Sequence, residues 1–220
     1  MKADFRLQED VVDELAYDPS LDASRIAVAV KGGIATLSGT VPTYADKLAA
    51  EAAASRVTGI RAVAAELAVE VPQAHHRTDA DIAAAVLEAL SSDVTVPAER
   101  ISVTVDHGFV TLAGEVDWAY QKERAHHALA HRPGIRSIDN RITIAPRPAA
   151  GDVKANLRKA LERQADLDAE KLEVEVAGDT VVLRGRVNSI AEGLAAARSA
   201  FAVPGVTHVR NLTYVDTEPG

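Results

Sequence analysis

The chain has 220 residues, of which 47% are hydrophobic and 25% are charged, and this composition is typical of a folded globular protein. The net charge of −8 argues against nucleic acid as a partner, because phosphate backbones are bound mainly through Lys and Arg. The absence of Cys excludes disulfides, thiolate zinc sites and a Cys nucleophile.

The first forty residues predict a helix followed by a β-hairpin. Apolar residues at Leu7, Val11 and Leu15 recur every four positions, as on one face of an amphipathic helix. The alternating run that begins at Ile26 predicts a strand, and the glycines after Lys31 predict a tight turn. A second strand follows with the string Leu-Ser-Gly-Thr-Val at 37–41. Its internal Gly39 indicates a bulge or a neighbouring backbone in close contact, and we expect that neighbour to be a helix.

The next thirty residues predict a second helix and a third strand. Thr43 and Asp46 have the spacing of a capping box at a helix start. Ala50 and Ala54 lie one turn apart and form a smooth ridge that can approach the sheet closely. We expect Gly59 to end this helix as a C′ glycine. Leu67 and Val69 then belong to the last strand.

This series of elements recurs twice more along the chain. The string Leu-x-Gly-x-Val appears at 37–41, 112–116 and 183–187, and a further glycine follows each of its glycines by 20 residues. We expect these six glycines to be structural: Gly39, Gly59, Gly114, Gly134, Gly185 and Gly205. Pro-containing stretches at 72–77 and 146–151 read as linkers.

The sequence therefore predicts an α+β protein of three tandem α-β-β-α-β domains over residues 1–73, 74–148 and 149–220. In each domain, two helices should cover one face of a three-stranded sheet. We expect a compact or gently curved array, because the linkers are short.

The three copies resemble the BON domain family. The resemblance rests on Leu-x-Gly-x-Val after a hairpin, the glycine 20 residues later, and the Asn at Asn140 and Asn211. The first copy departs with Ala65 at the Asn position, and the third has Thr213 where an aliphatic residue is expected. The resemblance implies a noncatalytic module in which the glycines are structural. It also implies an association with phospholipid or the bacterial envelope, and with osmotic stress.

Three aromatic residues of the middle copy are candidates for a partner or membrane contact. Trp118 stands where the other copies have the helix caps Thr43 and Ser189, so the cap is lost unless Asp117 replaces it. Together with Tyr120 and Phe109 it could form an exposed aromatic patch. The alternative is that Trp118 packs against an adjacent domain.

One basic position, just before the first strand, is common to all three copies. It is occupied by Arg25, Arg100 and Lys171. These side chains could contact a phosphate head group. The alternative is a weak surface ion pair with a nearby carboxylate, such as Asp22, Glu99 or Glu170.

We expect no catalytic site, no cofactor and no bound metal. Neither a phosphate-binding loop nor a Gly-x-Ser-x-Gly nucleophile elbow occurs in the sequence. His127 and His131, with His126 beside them, have the spacing of two zinc ligands on one helix. No third ligand is apparent, and the mixed residues at the equivalent positions of the other copies indicate a solvated helix face.

The best functional hypothesis is a non-enzymatic binding module linked to envelope or osmotic stress, which contacts phospholipid surfaces or an envelope protein. One alternative is a cytosolic stress scaffold or chaperone-like protein that assembles through its sheet edges without lipid, and another is an ion-responsive module. No stretch approaches the length of a transmembrane helix, and no signal peptide is visible. We expect a cytoplasmic protein if Met1 is the native start, and a periplasmic one if a signal was removed.

Overall fold

The computed structural model describes residues 3–19, 21–145, 157, 172–203 and 205–215, which form three units of one design. The first unit contains α1 (Asp4–Tyr17), β1 (Ile26–Lys31), β2 (Ile34–Val41), α2 (Tyr44–Arg56) and β3 (Ala62–Val69). The second contains α3 (Asp79–Ser92), β4 (Ile101–Asp106), β5 (Phe109–Val116), α4 (Ala119–His127) and β6 (Ser137–Ile144). The third contains β7 (Leu172–Ala177), β8 (Thr180–Val187), α5 (Ile190–Phe201) and β9 (His208–Val215).

The predicted first helix of the third unit lies largely outside the described residues, as do the linker at 146–151 and Lys171. Of the predicted helix stripe Val153, Leu157 and Leu161, the structure describes Leu157 alone, which is helical and fully buried. No helix in the described ranges is both long enough and apolar enough to cross a membrane.

Each sheet has three strands, and its middle strand carries the glycine motif. The first two strands pair antiparallel as a hairpin, and the second and third pair parallel through the intervening helix. The register is the same in all three units, since Gly39, Gly114 and Gly185 lie opposite Ile26, Ile101 and Leu172. The predicted α+β architecture with three repeated units is therefore confirmed.

The core of each unit lies between the sheet and its helices. In the first unit, Ala35, Leu37 and Val41 alternate along β2 and are fully buried. They share a core with the predicted stripe of α1 and with Ala50 and Ala54 of α2. Burial of small alanines allows α2 to lie close to the sheet.

Gly39 and Gly114 lie against a neighbouring backbone, as predicted, but that backbone does not belong to the second helix, so the expected helix contact is wrong at these two glycines. Gly39, Gly114 and Gly185 have φ values of 128°, 148° and 128°, a region that favours glycine. A Cβ at Gly39 would overlap the carbonyl oxygen of Arg25, and one at Gly114 would overlap that of Arg100. The close neighbour is thus the chain entering the adjacent strand of the hairpin.

The glycine that follows the second helix does not end that helix, which corrects the C′ assignment. The helices end at Arg56, His127 and Phe201, several residues before Gly59, Gly134 and Gly205. A Cβ at Gly59 would lie 3.0 Å from Cδ2 of Leu7, and one at Gly134 would lie 3.0 Å from Cδ1 of Ile82. These glycines let the turn before the last strand pass close to the first helix.

The Asn of the family motif ties the last strand to the second helix. The Nδ2 of Asn140 donates to the carbonyl of Lys122 at 2.9 Å, and Asn211 donates in the same way to Gly193 at 2.9 Å. The Thr213 hydroxyl, at the unusual polar position, donates to Oδ1 of Asn211 at 2.7 Å. The first unit has Ala65 instead of Asn, and there Nζ of Lys47 donates to the carbonyl of Leu67 on the last strand at 3.1 Å.

The units contact one another through the first residue of the second helix. Tyr44, which begins α2, is 7% exposed and belongs to the core cluster of the second unit. Ile190, which begins α5, packs against the core of the first unit. The helices α2 and α5 are also in contact. The third unit therefore returns to the first, and the second and third units line one cleft, so the array is closed rather than linear.

Candidate functional site

The start of α4 in the second unit is capped by Gln121 instead of by its N-cap residue. Trp118 makes no cap hydrogen bond with its side chain. The Oε1 of Gln121 accepts from the backbone amides of Asp117 and Trp118, both at 3.0 Å. The Asp117 carboxylate pairs with Arg100 at 3.3 Å. Gln121 thus satisfies the two backbone amides that precede the helix, and the Trp118 side chain is partly buried.

A short loop after α3 is held against this helix start. The Nε2 of Gln121 donates to the carbonyl of Thr95 at 3.0 Å, and Nε of Arg124 donates to Asp93 at 2.8 Å. The other oxygen of Asp93 accepts from the Thr95 hydroxyl at 2.7 Å and the Thr95 amide at 3.0 Å. Hydrogen bonds from Thr95, together with the Arg124 interaction, lower the pKa of Asp93 from 3.8 to about 2. The loop is therefore fixed on both sides of Val94.

Three apolar side chains lie at this end of the second unit: Val94, Trp118 and Tyr120. We call them the apolar tip. Val94 is 99% exposed and Tyr120 is 50% exposed, whereas Trp118 is partly buried. Sequence reasoning identified the two aromatic residues and missed Val94. The exposure of Val94 could have been predicted, because an apolar residue in the middle of a tight Asp-x-Thr turn has its side chain directed outward.

Phe109 is exposed but does not belong to the tip. It begins β5, and Trp118 follows the end of that strand. The seven residue steps from Phe109 to Val116 span about 23 Å at the usual rise of a strand. The structure therefore places the predicted aromatic residues at two separate ends of the unit.

The basic residues before the first strands are engaged by carboxylates. Arg25 pairs with Glu70 at 2.9 Å, and Arg100 pairs with Glu115 at 3.4 Å as well as with Asp117. These partners differ from the neighbouring acids Asp22 and Glu99. All three pairs are exposed to solvent, so each contributes little to stability.

His127 and His131, predicted to lie on one helical face with His126 beside them, do not share a helix. The helix α4 ends at His127, so His131 lies beyond it. His126 packs edge-on against Tyr44, with ring centroids 6.0 Å apart. Burial, with a smaller effect of His127, lowers the pKa of His126. His126 therefore belongs to the contact between the first and second units.

Among the described residues, one group of three side chains has the spacing of metal ligands: Asp79, Asp106 and His107. The Asp79 carboxylate already accepts from the amides of His107 at 2.8 Å and Gly108 at 2.9 Å, and these hydrogen bonds lower its pKa. In the first unit, Asp4 holds the equivalent hairpin turn through Gly32 and Gly33. In both units, the acid at the start of the first helix thus holds the hairpin turn by accepting hydrogen bonds from its backbone amides.

Comparison with known proteins points to one family. The family model "BON domain" matches residues 3–71, 78–146 and 150–216. No curated protein matches the chain. Two similar structures are of CdsD, a structural protein of the type III secretion system of Chlamydia trachomatis, the first being of its C-terminal domain. Both are 16% identical with a TM-score of 0.26, and the matches cover 94% of this chain and 96% and 91% of theirs. On the strength of the three family matches, the chain belongs to the BON domain family, with three tandem copies of the domain.

Proposed function

We propose that this protein is a binding module that contacts phospholipid surfaces of the bacterial envelope through the apolar tip. BON domains are not known as enzymatic domains, and they support a binding role. The observation that carries the proposal is Val94, which is 99% exposed on a loop fixed by hydrogen bonds on both sides. When a partner covers an apolar side chain that is held in water in this way, the free energy of the system falls.

The neighbours of Val94 favour a lipid surface as that partner. Tyr120 and Trp118 each combine a large apolar ring with a polar atom, the type of side chain that is enriched at the membrane–water interface. The net charge of −8 gives no general attraction to anionic lipid. Binding should therefore depend on insertion of the tip and change little with salt.

Vesicle cosedimentation tests this function directly. We expect the protein to sediment with phosphatidylglycerol-containing vesicles and the fluorescence of Trp118, the single Trp of the chain, to shift to the blue. Substitution of Val94→Asp or Tyr120→Ser should reduce the bound fraction about tenfold or more, because each removes apolar area from the contact.

The matched control is Phe109→Ser, since Phe109 is 54% exposed and Tyr120 is 50% exposed, yet Phe109 lies at the far end of β5. This variant should bind vesicles like the unmodified protein. Equal vesicle binding by all three variants would show that the apolar tip does not contact the membrane. No binding at either low or high salt would reject the lipid surface, leaving an envelope protein or a lipid-independent role.

A second candidate is a stress scaffold or chaperone-like protein that assembles without lipid. It is favoured by β9, which is an edge strand of the third sheet and exposes Leu212 and Tyr214. Exposed apolar residues on a sheet edge promote pairing with another chain. Light scattering distinguishes this role, because a scaffold should form a defined oligomer and a strict monomer would argue against it. The link to osmotic stress and an ion-responsive role have the family resemblance as their support.

A further inference from the structure

A cleft of about 820 Å³ lies between the second and third units. The second unit contributes α4 and β6 to its walls, and the third contributes the end of α5 and the start of β9. Six residues carry the argument: Lys122, Ile142, Arg198, Phe201, Val209 and Arg210. The volume is in the range typical of small-molecule sites.

The cleft exists because one junction of the closed array lacks a large side chain. The first residue of the second helix is Tyr44 in the first unit and Ile190 in the third, and each packs against the core of the next unit in the ring. The equivalent residue of the second unit is Ala119, which lines the cleft. A methyl group cannot fill the space that a phenol or a butyl group fills at the other two junctions.

The cleft has an excess of positive charge. Lys122, Arg198 and Arg210 line it, and no carboxylate among the described residues forms an ion pair with any of them. Two acids, Glu115 and Glu123, also line the cleft, so the three cations leave a net charge of +1. Glu115 pairs with Arg100 at 3.4 Å. Burial lowers the pKa of Lys122, as expected for an ammonium group that lacks a compensating anion.

Apolar side chains line the rest of the cleft. Ile142 and Ile144 of β6 face the space together with Phe201 and Val209 of the third unit. From the cations and this apolar lining, we propose that the cleft binds a phosphate monoester that carries an apolar group. The three cations, which outnumber the lining acids, can contact a phosphate dianion, and the apolar lining accepts its substituent. This site is separate from the tip, and the inference does not rest on membrane contact.

Isothermal titration calorimetry with phenyl phosphate tests the proposal on the full chain. We expect saturable binding at least tenfold tighter than that of inorganic phosphate or of phenol, because each of these offers one half of the chemistry. Arg210→Gln and Arg198→Gln should each weaken binding about tenfold. Ala119→Tyr, which copies Tyr44 into the second unit, should abolish it by filling the cleft.

Arg184→Gln is the matched control, because Arg184 is an exposed strand arginine of the third unit that pairs with Glu175 at 3.7 Å and does not line the cleft. This variant should bind phenyl phosphate like the unmodified protein. Absence of saturable binding would overturn the proposal. So would unchanged affinity in the folded Arg198→Gln and Arg210→Gln variants, whatever the stability of Ala119→Tyr.

A second ligand distinguishes a lipid from a soluble metabolite as the source of the phosphate. Monomeric dioctanoyl phosphatidic acid should bind more tightly than phenyl phosphate if the ligand is a lipid, and no more tightly if it is a soluble phosphate ester. The phosphate site and the membrane contact can be tested separately. Val94→Asp should keep phenyl phosphate binding, and Arg210→Gln should keep vesicle binding.

Discussion

Gly39 shows how one residue determines the hairpin geometry of a unit. Its φ of 128° and the overlap of any Cβ with the carbonyl of Arg25 leave no room for a side chain. The sequence predicted a close neighbour from the glycine inside a strand. The tight turn after Lys31 already places Gly39 opposite Ile26. The sequence did not show that the carbonyl of Arg25, just before the strand, approaches Gly39, because this depends on the local backbone conformation of both residues.

Replacement of Gly39 by Ala should therefore destabilise the protein by about 3 kcal/mol or more, from backbone strain and a clash with rigid backbone atoms. The control is Gly32→Ala in the same hairpin, because Gly32 has φ 59° and a Cβ there meets nothing within 4 Å. That variant should cost about 1 kcal/mol. Urea denaturation measures both, and equal losses would show that the close approach to Arg25 has no energetic consequence.

At the scale of elements, the sequence predicted the helix starts better than the helix ends. Thr43 accepts from the amide of Asp46, and Ser189 accepts from that of Glu192, as their spacing indicated. The end of α4 was misjudged because the chain continues in turns after His127. The amides of Leu129 and Ala130 donate to carbonyls three residues back. Apolar periodicity does not distinguish this tighter hydrogen-bonding pattern from a continuing helix.

The loop that carries Val94 should make stability depend on pH in the acid range. The pKa of Asp93 is lowered to about 2 in the folded protein, so the folded state holds its proton less strongly than the unfolded chain, where the value is 3.8. This contribution is complete above about pH 4 and is lost as the pH falls towards about 2.

Thermal unfolding between pH 5 and pH 2 checks this expectation, at about one-unit steps. Asp93→Asn keeps an acceptor for Thr95 but removes the charge, so its melting temperature should fall less steeply on acidification. Parallel curves for the two proteins would mean that the Thr95 and Arg124 contacts do not hold the loop as described.

At the scale of the whole molecule, the repeat could be predicted from sequence and the arrangement of the units could not. Recurring glycines reveal three copies, but the closed array depends on Tyr44, Ala119 and Ile190, whose side chains differ between copies. The cleft could not be predicted from the sequence for the same reason. Its basic residues Lys122, Arg198 and Arg210 come from two units and do not recur as a set, so a search for shared positions passes over them.

The shape of the cleft depends on the closure of the array. If the third unit packs against the first through Ile190, the second and third units are held at a fixed separation and Ala119 leaves a defined space. If the units moved independently, the cleft would have no constant volume and no fixed set of cations.

A distance between spin labels on the first and third units tests this closure most directly. The chain contains no Cys, so Ile34→Cys and Leu194→Cys introduce two unique attachment points, and both positions are exposed and line one groove between these units. The account predicts a single, short and narrow distance distribution, which should broaden when Ile190→Asp is added. A broad distribution in the protein that retains Ile190, unchanged by that substitution, would contradict it.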